Sequence, residues 1–443
     1  MAHLTIRNIG PIKGVDIELK RINVFIGPQS SGKSTIAKIV GFCQWLEKDC
    51  VLRQSIAHVD GEFVEKCLIR YYNISEYFSD DSEFSYSGNA LDISFHDRKI
   101  SLQINKGFSD LAISKNAYIP SERNILSVPG IFTTKMPDNY LLEFIDDWQQ
   151  IRTHYNADAK IKMLGLGGSY YYDSREDSDK LLLDDGKMIH MSQASSGMQS
   201  VTPLCVYIDY LTQWVYSHEE NRSAQTKKRR RDAAISKALS DLKVENSPLY
   251  ESLLNMYAKP ETQDVSERLL GLASNIAHGK EKESEITQED VWVFQTLRKL
   301  LEYDARMIHP SFSNLVIEEP EQNLFPDTQV KLLYYILERL DHKRDSLILT
   351  THSPYILYAL NNCMIASFVG EDDREAVKEF ADVPESAWID PRSINVMELD
   401  NGEIRNSTAI QDDRGLIRGN YFDRVMHNVM ADFNALLNFS RLK

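Results

Sequence analysis

Gly27-Pro28-Gln29-Ser30-Ser31-Gly32-Lys33-Ser34 fits the phosphate-loop pattern G-x-x-x-x-G-K-[ST] at every fixed position. The flanks supply the context that the pattern needs. Ile22-Asn23-Val24-Phe25-Ile26 reads as a buried strand, and Thr35-Ile36-Ala37-Lys38-Ile39-Val40 opens a helix. Strand, glycine loop, helix is the arrangement in which backbone N–H groups and a helix N-terminus converge on an anion. Gly27 and Gly32 let the backbone curl. Lys33 is expected to reach the terminal phosphates of a nucleotide, and Ser34 to hold Mg²⁺. With Thr35, the whole run Gly27, Pro28, Gln29, Ser30, Ser31, Gly32, Lys33, Ser34 is the candidate nucleotide cradle.

Working outward, Leu4 to Ile9 and Val15 to Leu19 read as short strands joined by a Gly10-Pro11 turn. Residues 41 to 76 read mainly as helix. Leu91 to Phe95 and Ile100 to Ile104 alternate apolar and polar residues around His96-Asp97-Arg98-Lys99, a hairpin. Ala117-Tyr118-Ile119-Pro120 ends another strand, and Tyr140 to Tyr155 is a helix. Tyr170 to Asp185 is polar and tyrosine-rich. Val201, Leu204, Cys205, Ile208, Leu211 and Val215 recur at helical spacing, which predicts an amphipathic helix. Residues 217 to 304 are charged and helix-forming. Leu315-Val316-Ile317 and Leu347-Ile348-Leu349 are buried strands around a helix from Val330 to Leu340. Val396 to Leu399 and Ile404 flank Asp400-Asn401-Gly402, a hairpin turn, and Tyr421 to Phe439 closes the chain as a helix.

Three further motifs carry chemistry. The strand Leu315-Val316-Ile317 delivers two adjacent acids, Glu318 and Glu319. The first can orient a Mg²⁺ shell, and the second can polarise water for in-line attack on a phosphoryl group. Thr350-Thr351-His352-Ser353-Pro354 follows the next strand, at the sheet edge where ligands bind, so His352 can meet a γ-phosphate or the attacking water. Ala194-Ser195-Ser196-Gly197-Met198-Gln199 precedes the amphipathic helix, with Ser196 and Gly197 expected to cap it and offer N–H groups to an anion.

Composition bounds the rest. The chain has 443 residues, is 42% hydrophobic and 26% charged, and carries a formal charge of −15, which describes a folded protein without a broad nucleic-acid surface. One basic run, Lys227-Lys228-Arg229-Arg230-Arg231, could touch DNA phosphates or an acidic partner. The five cysteines form no C-x-x-C pair, so neither a zinc site nor a disulfide framework is expected, in keeping with a reducing cytoplasm. The first ten residues lack the apolar core of a signal peptide, and no apolar run is long enough to span a membrane.

In order, the phosphate loop, S-S-G-x-Q, strand-E-E-P and T-T-H-S resemble the ATP-binding-cassette class of ATPases, within it the SMC-related, OLD-like branch. Glu318 to Pro326 (EEPEQNLFP) and Tyr118-Ile119-Pro120-Ser121-Glu122-Arg123 belong to the same resemblance, which covers residues 1–40, 117–125, 192–215 and 305–365. It implies an α/β fold: an ABC-type P-loop ATPase head, a mixed sheet flanked by helices with an antiparallel β subdomain, plus a helical insertion. The head is then split, 1–216 and 305–443, around the insertion at 217–304.

The resemblance also implies a homodimer or higher oligomer. Each of two ATP molecules is sandwiched between one subunit's phosphate loop and the other's Ser196-Gly197. Lys33 and Ser34 would bind phosphate and Mg²⁺, Glu318 would serve as the metal-orienting acid, Glu319 as general base, His352 as switch histidine, and Ser196 would meet the γ-phosphate in trans. Three departures stand out. Glu318 occupies a place usually held by Asp, the stretch from Gln199 to Leu315 is long, and no Q-loop glutamine is evident, leaving Glu122 or Ser121 for that place. Asp372-Asp373 and Asp412-Asp413 follow no convincing apolar strand, so no nuclease site is assigned. A stand-alone ATPase of this branch is similar to the ATPase halves of the Septu and PARIS antiphage systems, which hold or activate a separate nuclease. A DNA-binding repair ATPase and a scaffold with little hydrolysis are the alternatives.

Overall fold

The computed structural model describes residues 2–53, 55–109, 114–217, 310–405 and 410–441. The expected insertion over 217–304 lies outside them apart from Ser217, and so does the basic run at 227–231.

An eleven-stranded mixed sheet organises the molecule. Its N-terminal strands are β1 (Ala2–Ile9), β2 (Ile12–Leu19), β3 (Ile22–Ile26), β4 (Phe78–Ser87), β5 (Leu91–His96), β6 (Lys99–Ile104) and β7 (Ser114–Ile119). A separate four-stranded antiparallel sheet holds β8 (Ile161–Lys162), β9 (Gly168–Asp173), β10 (Ser178–Leu183) and β11 (Met188–His190). The C-terminal half returns β12 (Phe312–Glu318), β13 (Ser346–Thr350), β14 (Ile394–Asp400) and β15 (Glu403–Ile404) to the large sheet. Its order is β6-β5-β4-β1-β2-β15-β14-β3-β13-β12-β7. From β14 to β7 every neighbouring pair is parallel. From β6 to β2 every pair is antiparallel.

Strand periodicity decides what each face carries. Leu315 and Ile317 of β12, Val24 and Ile26 of β3, and Leu347 and Leu349 of β13 point into one core. That core is covered by α2 (Tyr140–Ile151), α3 (Ser196–Asp209), α4 (Pro326–Arg339) and α5 (Pro354–Gly370). The alternate residues Val316, Phe25, Ile348 and Met397 point into a second core with α1 (Lys33–Arg53) and the antiparallel strands. Because successive side chains switch faces, Glu318 shares the α1 side with Val316.

Both expected hairpin turns are present as two-residue loops with positive φ. Asp97 and Arg98 have φ of 50° and 56°, and Asn401 and Gly402 have 51° and 83°. These values suit the twist of the flanking strands.

Several readings of the sequence need correction. β4 was not foreseen, because Asp80 and Ser82 fall on the phase of Phe78, Phe84 and Tyr86 and interrupt the apolar alternation. The tyrosine-rich stretch from 170 is a β-hairpin, with Tyr170 and Leu181 buried. The helix after Ser196 is not amphipathic: everything from Ser200 to Ile208 is buried. It runs through the middle of the first core, so packing surrounds it. The N-cap of α3 is Ser195, whose Oγ accepts from the Met198 N–H at 3.4 Å, with Ser196 and Gly197 as its first two helical residues.

The last helix, α6 (Tyr421–Arg441), is docked at its N-terminal end. Tyr358 donates to Asp423 at 2.6 Å, and Arg424 pairs with the fully buried Glu398. Beyond that point it exposes Val425, Met426, Val429, Met430, Phe433 and Leu436.

Candidate functional site

Three strands meet in register at one sheet edge. Phe25 of β3 pairs with Thr350 of β13, and Thr350 pairs with Glu318 of β12. The next residues along each strand are therefore brought together: Gly27 and its loop, His352, and Glu319. Carboxyl ends of parallel strands are where open α/β sheets bind ligands.

The loop at 27–34 has three residues with positive φ: Gly27 at 140°, Ser30 at 59° and Gly32 at 103°. A Cβ on Gly27 would lie 2.3 Å from the Leu399 carbonyl oxygen, and one on Gly32 would lie 2.7 Å from Ile12 Cγ1. Both positions therefore require glycine twice over, by conformation and by space. Lys33 begins α1 and is 4% exposed. Its ammonium donates to the carbonyls of Gly27 at 3.0 Å and Pro28 at 2.7 Å, and to Ser31 Oγ at 3.3 Å. Burial lowers its pKa to about 8, against the pull of Glu319 and Glu321.

Glu318 is 3% exposed, and its Oε1 is buried without a hydrogen-bond partner. Burial raises its carboxyl above the usual range, while Lys38 and the Ser34 and Tyr118 hydroxyls act the other way. An orphaned carboxylate oxygen beside a phosphate-loop serine is what a divalent cation would satisfy. Among the described residues no group of three or more His, Cys, Asp or Glu could hold a metal unaided. That suits Mg²⁺, which is held by one or two protein oxygens together with substrate phosphates. The extra methylene of Glu318 relative to Asp is thus compatible with the position.

Glu319 leaves β12 with φ at 42°, an uncommon left-handed conformation for this residue type. Its N–H donates to the Thr350 carbonyl at 3.0 Å. The turn swings its carboxylate toward the neighbouring strand end, where Oε1 lies 3.2 Å from His352 Nε2. That hydrogen bond, with Lys33 and Arg123 nearby, lowers the Glu319 pKa despite partial burial. Two adjacent acids are thereby pushed in opposite directions, one orphaned and buried, the other ionised and paired. Such splitting is typical of sites that assign different roles to neighbouring carboxyls.

Two site residues carry no role in the sequence reading. Glu321 accepts the His352 backbone N–H at 2.5 Å and so fixes the histidine's position. Arg123 is wholly buried and donates to the carbonyls of Glu318, Glu319 and Pro320. The signals were present, in the charged residues of Tyr118–Arg123 and Glu318–Pro326, but only the fold shows that these two segments touch. Ser121 and Glu122 sit just past β7. Glu122 accepts from Tyr140 at 3.1 Å, and its charge acts on Glu318.

Ser196 and Gly197 stand apart from this cluster. Ser196 is exposed, and a Cβ on Gly197 would lie 3.1 Å from the Asn323 carbonyl oxygen. Among the described residues no hydrogen bond links them to the loop at 27–34.

No family model and no curated protein matches the chain. Among solved structures, the SMC head domain from Thermotoga maritima is similar at TM-score 0.34 and 10% identity, covering 91% of this chain and 96% of that one. The Smc head domain with an extended coiled coil from Pyrococcus furiosus, bound to the C-terminal domain of ScpA, gives TM-score 0.35 and 11% identity, covering 98% and 100%. The recombination mediator RecF gives 0.27 and 9%, covering 91% and 96%. Likenesses this distant add nothing to what the site's own geometry says.

Proposed function

We propose that this chain is a Mg²⁺-dependent ATPase of the ABC type, acting as a homodimer that closes on two ATP molecules. The observation that carries the reading is the convergence of Lys33, Ser34, Glu318, Glu319 and His352 at the ends of three in-register parallel strands. Lys33 and the backbone N–H groups of Gln29–Thr35 bind the phosphates. Ser34 and Glu318 would hold the metal, which would supply Lewis-acid stabilisation of phosphate charge when bound. Glu319, held ionised by His352, accepts a proton from the attacking water. His352 keeps that carboxylate aimed through its Nε2–H. Ser196, exposed at the start of α3, and the half-buried Gly197 beside it complete the partner's site rather than their own.

The wider role follows the motif resemblance: an ATP-gated sensor and scaffold that controls a separate effector, a nuclease, in bacterial antiphage defence. The motif order, with the long stretch between Gln199 and Leu315, supports it. DNA contact through Lys227–Arg231 is the competing use of the same ATPase.

The test combines hydrolysis with co-purification. Wild-type protein is expected to release phosphate from ATP only with Mg²⁺, and Glu319→Gln to slow release by about 10²-fold or more while retaining ATP. Pulled from its host in that trapped form, it should bring down a nuclease in fixed ratio. Absence of Mg²⁺-dependent hydrolysis overturns the ATPase. Recovery of nucleic acid alone, lost at high salt, replaces the defence role with the DNA-binding one.

A further inference from the structure

Arg123 has an unusual set of partners. Its side chain is 0% exposed, and all five of its N–H donors meet backbone carbonyls. Nε donates to Ser200 at 3.1 Å. Nη1 donates to Pro120 at 3.2 Å and Glu318 at 2.9 Å. Nη2 donates to Glu319 at 2.7 Å and Pro320 at 3.1 Å. No hydrogen bond from this cation goes to a carboxylate; its charge is balanced at a distance by Glu321, Glu319 and Glu318. A guanidinium used this way is a rigid fork that fixes three pieces of backbone relative to one another.

Those three pieces are the end of β7, the turn that carries the base, and the first turns of α3. Ser200 lies four residues after Ser196 on one continuous helix. Pro203 lies inside that helix and has no N–H to offer the Gln199 carbonyl, one residue before the Ser200 carbonyl that Arg123 holds. A second contact joins the same two elements, since Gly197 abuts the Asn323 carbonyl. The base itself sits in the left-handed conformation at φ 42°. Such a conformation persists only when its surroundings over-determine it, and Arg123 grips the carbonyls on both sides of it.

We infer that Arg123 is a positioning residue that couples the two composite sites. This rests on the dimer reading above. When Ser196 and Gly197 of one subunit engage the partner's nucleotide, any shift of α3 is passed through Ser200 and Arg123 to that subunit's own Glu319. Each subunit's hydrolysis then depends on whether its helix has found ATP across the interface, and the two sites turn over cooperatively.

The experiment uses the full chain with Arg123→Lys, which keeps the charge but loses the fork. Wild-type hydrolysis should show a Hill coefficient approaching about 2 for two coupled sites. Arg123→Lys should lower kcat by about tenfold, leave the affinity for a fluorescent ATP analogue within about threefold, and bring the Hill coefficient near 1. Unchanged kcat and Hill coefficient in Arg123→Lys overturn the coupling while leaving the ATPase intact. A wild-type protein that neither hydrolyses ATP nor dimerises overturns the underlying reading instead. Should Arg123→Lys fail to fold, the wild-type protein decides: a Hill coefficient near 1 in a protein that hydrolyses ATP and dimerises overturns the coupling.

Discussion

Lys33 and Glu318 show how the free site is held in tension. The Lys33 ammonium is buried on its own loop's carbonyls, and burial lowers its pKa to about 8. A bound triphosphate favours the protonated form, so nucleotide binding above neutrality must draw a proton from solvent. At about pH 8.5 the expected uptake approaches three quarters of a proton per site. It is measurable by titration calorimetry in buffers of different ionisation enthalpy, and should vanish in Lys33→Met. Glu318 is the opposite case. Its ionised form is disfavoured by burial, so its charge weakens the free protein at neutral pH. Glu318→Gln should therefore raise the melting midpoint of the nucleotide-free protein, by roughly 2 °C, while abolishing stimulation by Mg²⁺. A lower midpoint for Glu318→Gln would remove the claim that the orphaned carboxylate is a cost kept for metal binding. These roles were partly legible beforehand. A glycine loop after an apolar run, and two acids after another, announce themselves in one dimension. Arg123 and Glu321 did not, because their meaning lies in backbone atoms nearly 200 positions away or on a neighbouring strand.

At the scale of elements, strands were legible where burial imposes a simple pattern. β3 is buried at all five positions, and the run Ile22–Ile26 announces it. β4 was missed because Asp80 and Ser82 interrupt its apolar phase, and pairing with β1 and β5 outweighs local preference. α3 reads as amphipathic from its helical spacing, yet Ser200 and Thr202 are as buried as Val201. Small polar residues can enter a core where the neighbouring elements close over them, and spacing alone does not reveal that. The start of α5 shows a cap with two duties. Ser353 Oγ accepts from the N–H groups of Tyr355 at 3.1 Å and Ile356 at 3.3 Å, and it hydrogen-bonds Gln329 of α4. Ser353→Ala should cost about 1–2 kcal/mol in urea unfolding. Because His352 is held separately by Glu321, its hydrolysis rate should change less than its stability. Equal losses in both would mean that the cap, rather than Glu321, sets the histidine's position.

For the whole molecule, charge decides between the two proposed roles of the chain. Each chain carries a formal −15, and closing two such bodies around ATP brings like charges and two more polyanions together. Screening lowers that cost, and at about 0.3 M salt the Debye length is well below its value of ~10 Å at 0.1 M. The ATP-trapped Glu319→Gln dimer should therefore tighten, or at least hold, as salt rises from about 0.05 to 0.3 M. DNA held through the basic run at 227–231 behaves oppositely, because counterion release makes its affinity fall steeply over the same range. Sedimentation of Glu319→Gln with ATP, with and without duplex DNA, separates the two. Ser196→Arg is the control, placing a bulky cation on an exposed residue at the start of α3 without disturbing the buried core. It should abolish the dimer at every salt concentration while leaving ATP binding to the subunit's own loop intact. A dimer that survives Ser196→Arg and dissolves with salt would owe its assembly to surface charge pairs, and the shared-nucleotide interface would fall with it.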